Sequence, residues 1–81
     1  MKVFLAGAAG AIGRRLTPLL LRAGYHVTGT TRSKKNAELL TTYGAVPMVV
    51  DVFDAGALRD AIAEAQPDIV IHQLTDLPAA P

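Results

Sequence analysis

The chain has no cysteine and no tryptophan, only two histidines, and few aromatics of any kind, 5% of 81 residues. Without cysteine there is no disulfide and no thiolate zinc site, and His26 and His72 are too few for a histidine-rich metal site. Small chains usually rely on such staples, because a chain of this size buries only roughly 60–65% of the surface its unfolded form exposes. Long apolar runs are missing as well, and no stretch approaches the ~20 residues of a membrane span. The apolar run after Lys2 is broken by Gly7, Gly10 and Gly13, and no basic region beyond Lys2 precedes it, which argues against a secretory signal. Arg14-Arg15 follows that run, whereas a twin-arginine signal carries its pair in front. What is present is 51% hydrophobic and 19% charged, which excludes disorder. The apolar mass is aliphatic (Val, Leu, Ile and Ala), an α/β composition. These features predict a soluble, cytoplasmic protein.

The formal net charge of +1 conceals another absence. Residues 1–35 hold Lys2, Arg14, Arg15, Arg22, Arg32, Lys34 and Lys35 and no acid. Residues 36–81 hold Arg59 as their only base and all seven acids, Glu38, Asp51, Asp54, Asp60, Glu64, Asp68 and Asp76. A split of this kind points to a first half that faces an anion. Seven charges without interleaved aromatics do not make a nucleic-acid surface. Solvated helix faces are the alternative.

Val3-Phe4-Leu5-Ala6 is a continuous apolar run, expected of a strand buried on both faces in a parallel sheet. Ile12, Leu16, Leu19, Leu20 and Ala23 then recur at helical spacing, with Gly24 as the stop and Pro18 as an internal bend. His26–Thr30 is a second strand. Ser33 caps a second helix that turns Leu39, Leu40 and Tyr43 inward and stops at Gly44. Pro47 opens a third strand, Met48–Val50. Asp54 caps a third helix with Leu58, Ala61, Ile62 and Ala65 on one face, and Pro67 forbids its continuation. Ile69–Ile71 is the fourth strand. The order β-α-β-α-β-α-β with short turns predicts an α/β fold, a Rossmann-type parallel sheet with right-handed crossovers.

Gly7-Ala8-Ala9-Gly10-Ala11-Ile12-Gly13 joins the first strand to the first helix, the context that a dinucleotide fingerprint demands. Gly7 permits the tight turn, Gly10 lets the backbone approach a pyrophosphate, and Gly13 lets the helix pack closely on the strand. The helix N-terminus adds free N–H groups and about half a positive charge. A Walker loop would need Gly-Lys-Ser/Thr where Gly13 is followed by Arg14-Arg15, so that reading fails. A methyltransferase usually places an acid at the end of the second strand, and none is there. A turn that only packs is the remaining alternative.

The spacing is Gly-x-x-Gly-x-x-Gly, and with it the sequence resembles the short-chain dehydrogenase/reductase superfamily, in particular its extended NAD-dependent epimerase/dehydratase branch. The resemblance covers the whole chain and rests on Val3–Gly13, Thr31-Arg32, Asp51-Val52 and Val70-Ile71-His72. It implies strand order 3-2-1-4 and a nicotinamide dinucleotide as cofactor, with Ala11 and Ile12 beside the pyrophosphate turn. Asp51 would accept from the adenine amino group while Val52 packs nearby; the alternative is that Asp51 only caps or solvates a turn. After the fourth strand, Leu74 and Thr75 would line the cofactor, although Gln73 and Leu74 stand where alanine-like residues are frequent. His72 has no Ser or Cys nucleophile beside it and reads as a structural histidine.

An acid at the end of the second strand would bind the adenosine ribose 2′-OH and mark NAD. Here the segment is Thr30-Thr31-Arg32-Ser33-Lys34-Lys35. A guanidinium binds a 2′-phosphate through two hydrogen bonds, and Ser33 can donate another. Thr31, Arg32 and Ser33 therefore favour NADP, with NAD as the second choice; the alternative is a basic, solvated turn.

The superfamily's catalytic Tyr-x-x-x-Lys pair is missing. Tyr25 is followed four residues later by Gly29, and Tyr43 by Pro47. No catalytic residue and no metal ligand is expected in the chain. The expectation is that residues 1–81 are the N-terminal part of an NAD(P)-binding Rossmann domain, without its catalytic and substrate-binding part. The fourth strand would then leave an apolar edge uncovered. A self-standing small domain that pairs through this edge is the competing reading, so an oligomer stays open. The expected whole is an oxidoreductase or epimerase acting on a small molecule, with no nucleic-acid or membrane partner. Its alternative is a non-catalytic, cofactor-sensing regulator of the type related to nitrogen-metabolite repressors.

Overall fold

The computed structural model describes residues 1–8 and 11–72. Among the described residues seven elements alternate: β1 (Lys2–Ala6), α1 (Ala11–Arg22), β2 (His26–Thr31), α2 (Lys34–Tyr43), β3 (Val46–Val49), α3 (Ala55–Ala65) and β4 (Ile69–His72). The four strands form one parallel sheet in the order β3-β2-β1-β4. Val3 stands level with Val27 and Ile69, and Thr28 with Val46. No helix among the described residues is long and apolar enough to cross a membrane.

The apolar run of β1 has the two-sided burial its composition demands. Leu5 joins Ala8, Val27, Leu40 and Ala45 in a core against which Leu16, Leu20 and Tyr43 pack. Phe4 and Ala6 face the other way and meet Leu58 and Ala61 of α3. Alternate residues of a strand point to opposite faces, so α1 and α2 cover one side of the sheet and α3 the other. Phe4 and Leu5 are wholly buried, each contributing roughly 1.5–3 kcal/mol.

The helix ends follow the expected chemistry. Ser33 Oγ accepts the Asn36 N–H at 3.3 Å, and Asp54 Oδ1 accepts the Ala57 N–H at 3.1 Å. Gly44 closes α2 in the left-handed region with φ 99°. Gln66 closes α3 with φ 47°, a position where the sequence carries no glycine to announce it.

Two expectations are corrected. Leu19 is 58% exposed and Ala23 is exposed too. The buried stripe of α1 is Gly13, Leu16, Thr17, Leu20 and Leu21, and Leu19 lies two residues, about 200° of helix, from Thr17. Pro47 does not open β3 but sits second in it, opposite Gly29; β3 is at the edge of this sheet, where a strand tolerates a missing N–H. Pro18 lies inside α1, as expected, and the helix continues through it from Ala11 to Arg22.

Candidate functional site

In a parallel sheet all strands end at the same edge. Here Gly7, Thr31 and Val50 follow or close β1, β2 and β3 at that edge, with His72 beside Ala6. The order of strands reverses between β1 and β4, the switch point where open α/β sheets bind ligands.

Gly7 leaves β1 at φ 83°, a left-handed conformation that side chains rarely adopt. Its N–H donates to Thr30 Oγ1 at 2.8 Å, and the N–H of Ala8 donates to the Thr30 carbonyl at 2.9 Å. The turn is thereby tied to β2. Ala8 is wholly buried, and a Cβ on Gly29 would lie 2.6 Å from the Ala8 Cβ, so β2 can pass beneath the turn only as glycine. A Cβ on Gly13 would overlap the Gly7 carbonyl and come within 2.8 Å of the Ala8 backbone. The first turn of α1 therefore rests directly on the glycine turn. Thr17 Oγ1 donates to the Gly13 carbonyl at 2.7 Å and is fully buried. Ala11 and Ile12 open α1; Gly10, with Ala9, lies outside the described residues.

A second turn leaves β2. Thr31 is buried, and its Oγ1 accepts the Ser33 N–H at 3.2 Å. Arg32 is exposed between them, and Ser33 is half-buried at the head of α2. A third turn leaves β3. Asp51 is exposed and uses Oδ1 to accept the Phe53 N–H at 2.9 Å, while its carbonyl accepts the Asp54 N–H at 2.9 Å. Val52 is half-buried against the core beneath α3. Leu74 and Thr75 lie outside the described residues, and His72 is exposed at the end of β4.

The electrostatics distinguish the three helix heads. The N-terminus of α3 is met by the Asp54 carboxylate of the chain itself. Neither α1 nor α2 has an acid in its first turn, and the cap of α2 is the neutral Ser33. Among the described residues, the positive ends of those two dipoles carry no capping carboxylate. Arg14 and Arg15 at the head of α1, and Arg32, Lys34 and Lys35 at the head of α2, add full charges at this edge. The idea that the whole basic half faces an anion needs correction. Lys2 opens β1 and Arg22 closes α1, which places both at the opposite edge. There the Lys2 backbone N–H donates to Asp68 Oδ2 at 2.8 Å.

Sequence reasoning brought Gly7, Gly13, Thr31, Arg32, Ser33 and Asp51 to one edge but overlooked Gly29, Thr30 and Thr17. A glycine inside a strand of β-branched residues signals close backbone approach, so Gly29 was legible. Nothing in a run of threonines announces which hydroxyl is buried.

A parallel β3-β2-β1-β4 sheet with a glycine turn between its central strand and first helix is a Rossmann-type α/β fold. Residues 3–79 match the model of the NAD dependent epimerase/dehydratase family, and the chain belongs to that family. It is 39% identical over 72 residues to an uncharacterized protein of Schizosaccharomyces pombe, covering 89% of this chain and 24% of that protein. It is 35% identical over 77 residues to a 3-diazoavenalumate denitrifying reductase of a Streptomyces species, covering 95% and 24%. The crystal structure of yeast methylglyoxal/isovaleraldehyde reductase, complexed with NADPH, superimposes with a TM-score of 0.76 at 34% identity, over 89% of this chain and 26% of that one. The chain thus spans about a quarter of the length of these relatives.

Proposed function

We propose that these residues are the NAD(P)-binding part of an oxidoreductase or epimerase acting on a small molecule, with NADP preferred. Family membership supports a nicotinamide dinucleotide, and the choice of NADP rests on the acid-free Thr31-Arg32-Ser33 segment at the end of β2. The observation that carries the reading is the glycine turn. It is free of side chains at Gly7, it is pinned to β2, and α1 rests on it so closely that a single Cβ at Gly13 would not fit. That packing sets the positive end of α1 directly beside the turn, where a diphosphate would be stabilised by it.

Gly7, Gly10 and Gly13, with the backbone at Ala11 and Ile12, hold the pyrophosphate against the head of α1. Arg32 and Ser33 read the 2′-phosphate. The Ser33 oxygen already accepts from Asn36, which leaves its hydroxyl proton to donate. Asp51 and Val52 meet the adenine, and Leu74 and Thr75, outside the described residues, are carried over from the family resemblance as lining the cofactor. Asp51 can do so while it holds its own turn, because the Phe53 N–H occupies one carboxylate oxygen. When bound, the cofactor supplies hydride transfer. The chain's own residues bind and orient it, and they are assigned no part in proton transfer.

The test is Arg32→Ala. A charge-assisted contact contributes ~1.5–3 kcal/mol, so this variant is expected to bind NADPH roughly 10-fold or more weakly, while NADH binding barely changes. Equal losses for the two cofactors would overturn the assignment.

A further inference from the structure

Two adjacent residues of β2 hold the site's two phosphate-facing turns. Thr30 is wholly buried; its Oγ1 accepts the Gly7 N–H at 2.8 Å and its carbonyl the Ala8 N–H at 2.9 Å. Thr31 is 7% exposed; its Oγ1 accepts the Ser33 N–H at 3.2 Å and its carbonyl the Val50 N–H at 2.9 Å. Gly7 and Ser33 both lie just beyond their strands, where the sheet no longer supplies partners for their N–H groups. In each case a threonine hydroxyl takes the place of a ladder bond and sets the direction of the turn before anything binds. A turn ordered in advance loses less freedom on binding.

We infer that Thr30 and Thr31 are positioning residues with separate duties, an inference that rests on the dinucleotide reading above. Thr30 shapes the glycine turn and so governs affinity for the diphosphate shared by both nicotinamide dinucleotides. Thr31 shapes the Arg32-Ser33 turn and so governs discrimination for the 2′-phosphate. Each acts through the turn it holds, by a hydrogen bond made within the chain.

The experiment titrates NADPH and NADH into the chain and its Thr30→Val, Thr30→Ser, Thr31→Val and Thr31→Ser variants, and follows amide hydrogen exchange in the absence of cofactor. Loss of one positioning hydrogen bond corresponds to roughly 3–10-fold in affinity. Thr30→Val is expected to weaken both cofactors by the same factor in that range and to deprotect the Gly7 amide. Thr31→Val is expected to weaken NADPH by a similar factor, leave NADH within about 2-fold, and deprotect the Ser33 amide. Both serine variants keep the hydroxyl and stay near wild type. The division of duties is overturned if Thr30→Val changes the NADPH-to-NADH ratio or neither affinity, if Thr31→Val weakens both cofactors equally, or if the serine variants behave like valine. Should Thr30→Val and Thr30→Ala both lose the circular dichroism of the fold while Thr30→Ser keeps it, Thr30 is a stability residue and its share is overturned. A wild-type chain that binds neither cofactor refutes the dinucleotide reading itself; a wild type that binds, with variants that do not divide, refutes this inference alone.

Discussion

At the scale of single residues, the glycine turn is defined by what cannot be added to it. A methyl group at Gly13 has nowhere to go, since the atoms it would meet are backbone: the Gly7 carbonyl and the Ala8 main chain at 2.8 Å. Overpacking typically costs 1–3 kcal/mol, occasionally more. Gly13→Ala is therefore expected to lower the urea midpoint by an amount equivalent to at least ~1 kcal/mol, with an unchanged slope. Gly56 is the contrast. A Cβ there would find only Asp54 Oδ1, at an ordinary 3.6 Å, inside the first turn of α3. Gly56→Ala is expected to stabilise the chain by about 0.5 kcal/mol through the reduced entropy of its unfolded state. An equal loss for both alanines in denaturant titrations would contradict this account of the turn. These two glycines also show the limit of reading residues from sequence. Gly13 was legible because the motif gives its neighbours. Thr30 and Thr17 were not, because burial of a hydroxyl depends on which backbone group the fold brings to it.

At the scale of elements, the caps decide where helices begin and what their ends can do. Asp54 caps α3 and puts a carboxylate on its positive end. Asp54→Ala is expected to cost ~1 kcal/mol of stability, measured by thermal or urea unfolding, and to leave dinucleotide affinity within about 2-fold. Ser33 caps α2 with a neutral oxygen, so the same helix end keeps its field for an anion. Ser33→Asp is thus expected to keep the helix, because aspartate is as good a cap, but to weaken NADPH more than NADH, because a carboxylate would face the 2′-phosphate. A binding assay showing equal affinity changes for the two cofactors would remove Ser33 from that role. The periodicity of the strands and helices was readable throughout, with errors confined to rotation and boundaries. Leu19 was assigned to the buried stripe because its spacing fits, yet the stripe is fixed by Gly13 pressing on the turn, with buried Thr17 one helical turn further on, and this leaves Leu19 at the surface.

At the scale of the whole molecule, one parallel sheet brings three separate turns to the same edge, and this convergence is what makes that edge the candidate site. Parallel pairing was legible from the two-sided burial of Val3–Ala6 and the short crossovers. The sorting of charge was legible only in part. A count along the chain groups seven bases together, whereas the fold sends Lys2 and Arg22 to the far edge and keeps Arg14, Arg15, Arg32, Lys34 and Lys35 near the turns. The proposed role of this edge is to bind a nicotinamide dinucleotide and to read its 2′-phosphate. Calorimetric titration of the chain with NADPH and with NADH under one buffer tests it most directly. Saturable binding of both is expected, with NADPH at least ~10-fold tighter, as a charge-assisted phosphate contact requires. Equal affinities would contradict the 2′-phosphate assignment, and absence of binding to either would contradict the site.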